Sequence, residues 1–339
     1  MRNQVGFTLI ELMIALMLGL IISAAAMLLF FTASRSQTLQ QGQSGLQDDA
    51  NFGLNAIVKD IRLGNLNAVQ ASINDYSAFA GIVFRSSENA IEVSSVNRSN
   101  LPLTIEGDTA DINLLSRSHG HTVGAEPQWT GDSNVNNILS DQLTIQYLPQ
   151  YIKDNDGDWY GGFDCEGNPL KFTEAEGRQY IVQRYFLRED DNKSDNEPNK
   201  PLALACDSGH YAVKDDAIGI GDPDSIQDFG DAGQIILKRA DYFRVLYSIQ
   251  NGANHRYVDA KTYLDLAAPR PRILAVQLGI LGRSNQSVGN DSTFKDDQVF
   301  QVLDQAVTIK MPASNLPKYA RQVVTQTVAL RNTFGERGL

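Results

Sequence analysis

The stretch Gly6-Phe7-Thr8-Leu9-Ile10-Glu11-Leu12-Met13-Ile14-Ala15-Leu16 decides the reading of this chain. Before it stand five residues whose one charged side chain is Arg2; after it the chain carries no charge until Arg35. The 23 residues from 12 to 34 would make a helix roughly 34 Å long, enough to cross a hydrocarbon core of about 30 Å. A carboxylate at the edge of such a segment is expensive in lipid, which marks Glu11 as functional rather than as a residue resting at headgroup depth. A secretory signal would end at a small-x-small cleavage site, which Ser23-Ala24-Ala25-Ala26 imitates. The apolar run nevertheless continues through Met27-Leu28-Leu29-Phe30-Phe31, so the segment reads as an anchor that stays.

Outward from the anchor the helix pattern persists to about residue 63. Ala50, Leu54, Ile57 and Ile61 recur at intervals of four, three and four, one apolar face of an α-helix, with Phe52 and Val58 expected to widen it. Gly42 and Gly45 predict a bend or a melted turn between the two halves, and Gly64-Asn65 predicts the stop. Alternation of period two then takes over. Strands are expected at residues 82–84, 90–96, 111–115, 142–147, 179–187, 242–247, 273–281 and 322–330, and a short helix at 258–267. No alternation of strands with helices suggests a nucleotide-binding sheet. The fold class is α+β: one long N-terminal helix, half transmembrane and half amphipathic, packed on a mostly antiparallel sheet with long loops.

Composition narrows the function classes. The formal charge is −11, with 40 acidic against 29 basic residues. Without a basic stripe such a chain is a poor nucleic-acid surface. The run Asp154-Asn155-Asp156-Gly157-Asp158-Trp159 places carboxylates at alternate positions, with Asp164 beyond. As a twelve-residue calcium loop it fails, because Trp159 stands where a glycine is needed and Cys165 where a bidentate glutamate is needed. Two readings stay open: a looser Ca2+ site on Asp154, Asp156, Asp158 and Asp164, or a solvated acidic turn. His119 and His121 share a polar loop without further ligands beside them. No nucleophile elbow, phosphate loop or HExxH run is present, so neither catalysis nor a required cofactor is expected.

The stretch from Gly6 to Leu16 resembles the class III signal of type IV prepilins and pseudopilins. That resemblance implies cleavage between Gly6 and Phe7 by a prepilin peptidase, N-methylation of Phe7, and a docking role for Glu11, the fifth mature residue. Phe52-Gly53-Leu54-Asn55-Ala56-Ile57-Val58-Lys59-Asp60-Ile61-Arg62 resembles a stretch of the PilW-family minor pilins, which are related to the GspJ-like minor pseudopilins. Ala240-Asp241-Tyr242-Phe243-Arg244-Val245-Leu246-Tyr247, the strand at 273–284 and the closing strand at 321–332 resemble later parts of that family in the same order. Ser248 departs from its usual glycine. The stretch 116–231 is hardly covered and reads as a variable insertion.

The resemblance implies a leader (1–6), a membrane or filament-core helix (7–34), an amphipathic half-helix (35–64) and a periplasmic pilin-like domain (65–339). It implies a single-pass inner-membrane protein that enters a pilus or its tip after processing. In an oxidising periplasm the two cysteines, Cys165 and Cys206, are expected to form a disulfide. The function implied is that of a minor pilin in the initiation or tip complex, supporting adhesion, twitching motility or DNA uptake. Its partners would be other minor pilins, the major pilin, the peptidase, the inner-membrane assembly platform and a tip adhesin. The alternatives are a minor pseudopilin of a type II secretion system and a pilin-anchored binding module or enzyme.

Overall fold

A computed structural model describes residues 8–101, 104–105, 111–122, 128–193, 197–213, 225–288, 297–310 and 317–333. The N-terminal helix runs unbroken over Leu9–Ile61, 53 residues and about 80 Å at the usual rise. Its lower part buries Leu46, Ala50, Gly53, Leu54, Ile57, Val58 and Ile61, the stripe that period 3.6 demands. Phe52 does not join it: the side chain is 76% exposed, because two positions from Leu54 is about 200° around the helix. The bend expected at Gly42 and Gly45 is also absent. A Cβ at Gly42 would meet Val288 and Ser284 at 3.5 and 3.7 Å, so the domain supports the helix along this face.

The helix stops where Gly64-Asn65 predicts, with Arg62 as its C-cap. Asn65 takes a left-handed conformation at φ +65°, which asparagine tolerates better than most residues. Its side chain accepts the Gly81 N–H at 3.0 Å and donates to the Asn332 carbonyl at 3.1 Å. Asn332 donates in turn to the carbonyls of Arg62 and Gly64. The last described residues therefore close over the helix end and satisfy carbonyls the helix leaves open.

Two four-stranded sheets follow, both antiparallel throughout. The first runs in the order Gln234–Lys238, Leu202–Ala212, Gln179–Glu189, Leu143–Tyr147. The second runs Asn254–Val258, Ala240–Asn251, Arg272–Arg283, Arg321–Ala329. Arg239, at φ +57°, turns the chain from one sheet into the other. Both sheets contribute to one core: Leu54, Ile57 and Ile61 of the helix pack with Ile145, Tyr185 and Leu204 of the first sheet and Phe243, Val276 and Ile280 of the second. Two glycines permit the close approach. A Cβ at Gly282 would lie 2.7 Å from Leu46 Cδ1, and one at Gly53 3.0 Å from the Leu237 Cβ. The α+β class expected from the pattern is the one observed.

Several elements differ from expectation. Residues 111–115 hold a 3-10 turn, Asp111–Leu114, rather than a strand. Residues 82–84 contribute a single bridge, Ile82 to Ile145. The helix expected at 258–267 is the short Ala260–Leu264, capped by Asp259. The segment 116–231, expected as an insertion, supplies three of the four strands of the first sheet and a small three-stranded sheet of Ile152–Lys153, Trp159–Phe163 and Pro169–Phe172.

Ion pairs lock the second sheet to its surroundings. Arg283 and Arg239 share Glu197, at 2.5 and 2.7 Å, and Arg321 meets Asp241 at 2.7 Å. Arg244 lies between Asp141 and Asp304, and Asp141 also accepts the Val245 N–H at 2.8 Å. Apart from the partly exposed Asp304, these charges are nearly buried, and such pairs fix geometry more than they add stability, since both charges have lost water.

Candidate functional site

Three places carry the chemistry singled out in the sequence: the helix start, the disulfide, and the acidic residues around it. The helix opens on a capping box. Thr8 donates its N–H and its hydroxyl to Glu11 Oε2 at 2.9 and 2.8 Å, and the Glu11 N–H donates back to Thr8 Oγ1 at 3.3 Å. This arrangement satisfies two donors that a helix start leaves open and sets a negative charge at its positive end. Thr8 was not singled out from the sequence, although its T-x-x-E spacing before an apolar run carries that signal. Gly6 and Phe7 lie outside the described residues.

Among the described residues the apolar part of the helix, residues 9–31, packs against no other element. Leu9, Ile10, Leu12, Met13, Leu16, Ile21, Leu28 and Phe31 are all more than half exposed. The span is long and apolar enough to cross a membrane. So large an apolar surface requires a cover of lipid or of other apolar helices.

Cys165 and Cys206 form a disulfide that spans 41 residues, with Cα atoms 6.2 Å apart. Cys206 lies on the strand Leu202–Ala212 and is fully buried; Cys165 follows the strand Trp159–Phe163. The bond therefore staples the small sheet to the first large one. Cys206→Ser should cost about 3–4 kcal/mol through the greater freedom of the unfolded chain. Denaturant melts of the detergent-solubilised chain should show that loss, and peptide mapping without reductant should show the linked 165–206 pair in the parent.

The acidic turn, read either as a looser Ca2+ site or as a solvated turn, is held together from within. Asp154 Oδ1 accepts the N–H groups of Asp156 and Asp158, each at 3.0 Å. Lys171 reaches Asp154 and Asp158 at 3.2 and 3.3 Å, and its ammonium occupies the place an ion would neutralise. Asp164 turns away from that turn: its Oδ1 accepts the N–H groups of Glu166 and Asn168 at 3.0 and 2.8 Å.

Among the described residues the carboxylates that converge are others, Glu166, Asp207 and Asp231, with one oxygen of each within 4.8 Å of the other two. Burial and the charges of Asp231, Asp164 and Asp207 push the Glu166 carboxyl up to about 7. Burial raises Asp207 as well, against the pull of Arg184. Local spacing could not reveal this group, yet Glu166 and Asp207 each stand directly after a cysteine.

The histidines are not drawn to a common ligand. His119 Nδ1 accepts the Leu139 N–H at 3.2 Å. His121 is buried, and burial together with Arg117 and Arg85 pushes it down to about 3. A cleft of about 500 Å³ lined by Ile249, Asn251, Arg256, Leu266 and Pro269 lies outside 116–231.

Comparison with known proteins bears on the two ends of the chain. The family model for Type IV Pilus-assembly protein W matches residues 210–332. The prokaryotic N-terminal methylation motif matches residues 1–27. No curated protein matches the chain. A solved type IV-like pilin from Thermus thermophilus is similar over 57% of this chain and 78% of its own, at 14% identity and a TM-score of 0.24. The chain thus carries two family matches: the prokaryotic N-terminal methylation motif at its start, and the Type IV Pilus-assembly protein W region across its second sheet.

Proposed function

We propose that this chain is a minor type IV pilin that acts structurally, not catalytically, in the complex that starts pilus assembly and sits at or near the tip. One observation carries the reading. A single continuous helix buries one face of its last turns, from Leu46 to Ile61, in the domain and leaves its upper, apolar part exposed among the described residues. Lipid covers that half before assembly and neighbouring pilin helices cover it afterwards. In this reading residues 1–6 are removed, residues 7–34 become the filament core, and residues 65–339 form a periplasmic domain presented outward. The match to a pilus-assembly family favours a pilus over a type II secretion system. Other minor pilins, the major pilin, the prepilin peptidase and the inner-membrane platform are the partners this role requires.

A photocrosslinker placed at Leu16 or Leu20, both about 60% exposed, tests this in piliated cells. Adducts with proteins that carry the same N-terminal methylation motif are expected. Adducts with lipid alone, in cells that are assembling pili, would overturn the assignment.

A further inference from the structure

The disulfide does more than staple two sheets. Glu166 and Asp207 are the residues directly after its two cysteines, so the bond sets their carboxylates side by side. Asp231 joins them from the turn before the strand Gln234–Lys238. A second observation distinguishes this group from an ordinary acidic patch. Asp207 is fully buried, and its Oδ2 is occupied by Arg184 Nε and the Gly230 N–H, each at 3.0 Å. Its Oδ1 is buried and has no hydrogen-bond partner. A buried carboxylate oxygen without a donor is costly unless a cation meets it.

We propose that Glu166, Asp207 and Asp231 form a divalent cation site suited to Ca2+, with Asp207 Oδ1 as one ligand. The donors are all oxygen, the set a hard cation takes. One oxygen of each lies within 4.8 Å of the other two, close enough for a single oxygen-ligated ion to reach all three. Magnesium binds at about 2.0–2.1 Å and requires a tighter shell. Three carboxylates facing the single guanidinium of Arg184 leave two negative charges, which a divalent ion balances. The ligands are also oriented: the Gly233 N–H holds Asp231 Oδ1 at 2.7 Å, and Asn168 holds Glu166 Oε2 at 3.2 Å. The site lies at the junction of the small sheet, the first large sheet and the loop at 230–233, so an ion there would tie the three together.

The test uses the full chain in detergent, treated with chelator and then titrated with CaCl2 by calorimetry while melting is followed in parallel. One ion per chain is expected, with melting raised by several degrees at saturation, because the ion binds the folded site and not the unfolded chain. Glu166→Gln and Asp231→Asn should each weaken calcium binding by about tenfold or more, since each removes one charged ligand. Both residues reach solvent, and each substitution relieves repulsion among the three carboxylates, so calcium-free melting should be no lower than that of the parent. Asp156→Ala, in the Lys171-bridged turn, should leave binding unchanged. No heat and no shift in melting would overturn the proposal. So would a calcium response that survives Glu166→Gln and Asp231→Asn, or one lost in Asp156→Ala. An equal response to MgCl2 would overturn the assignment to calcium.

Discussion

Gly6→Val should leave residues 1–6 attached to essentially every molecule and keep the chain out of pili. The prepilin methylation motif matches residues 1–27, and the peptidase that the motif implies cuts beside a residue with no side chain. A branched Cβ at that position blocks the approach of the catalytic machinery to the Gly6–Phe7 bond. The effect is close to all-or-none because no later step can proceed from an uncut leader. The polar start with Arg2 would otherwise have to enter the apolar filament core, at high cost. Insertion itself should survive, since the apolar run 12–34 is untouched. Intact-mass measurement of the membrane fraction reads the result directly. Removal of the leader at the normal position in Gly6→Val would refute the assignment of the cleavage site.

Glu11→Ala should permit insertion and cleavage but lower crosslinking to other pilins by about tenfold or more, the scale set by leaving one charge of a desolvated pair alone. The structure sharpens this expectation. Glu11 is already engaged by Thr8 through two hydrogen bonds, so its loss also removes a helix cap. Thr8→Ala separates the two roles. It removes the cap and leaves the carboxylate free to meet the amine created at Phe7, in its own subunit or in a neighbour. If docking depends on the charge, Thr8→Ala should retain most of the crosslinking that Glu11→Ala loses. Equal loss in both variants would assign Glu11 to helix capping instead.

The helix was legible because its signals are local and periodic. The apolar run, the stripe Ala50, Leu54, Ile57 and Ile61, and the stop at Gly64-Asn65 all fall where the pattern places them. Phe52 was misplaced by its hydrophobicity, although its angular position already set it on the far side. The bend or melted turn at Gly42 and Gly45 rested on propensity; the helix continues through both, and at Gly42 it is supported by Ser284 and Val288. The strand Leu202–Ala212 escaped notice for a different reason. It is buried on both faces along most of its length, so it shows no alternation, and Asp207-Ser208-Gly209 in its middle reads as a turn.

The candidate sites divide in the same way. The prepilin signal was legible because it is a contiguous motif, and the methylation motif matches residues 1–27. The pairing of Cys165 with Cys206 followed from the compartment that signal implies, and the structure forms the bond. The calcium expectation rested on Asp154, Asp156, Asp158 and Asp164, an alternating run visible in the sequence. Lys171, which pairs with Asp154 and Asp158 in that turn, arrives from the neighbouring strand Pro169–Phe172 and has no signature in that run. Glu166, Asp207 and Asp231 meet only through the disulfide and the sheet, at separations no local motif spans.

Mass spectrometry of pili sheared from cells, with peptides mapped to the N-terminus of this chain, tests the central claim most directly. The account predicts a peptide that begins at N-methylated Phe7, in low abundance, together with other pilins in the sheared fraction. A chain confined to the membrane fraction of piliated cells, with residues 1–6 still attached, would contradict it.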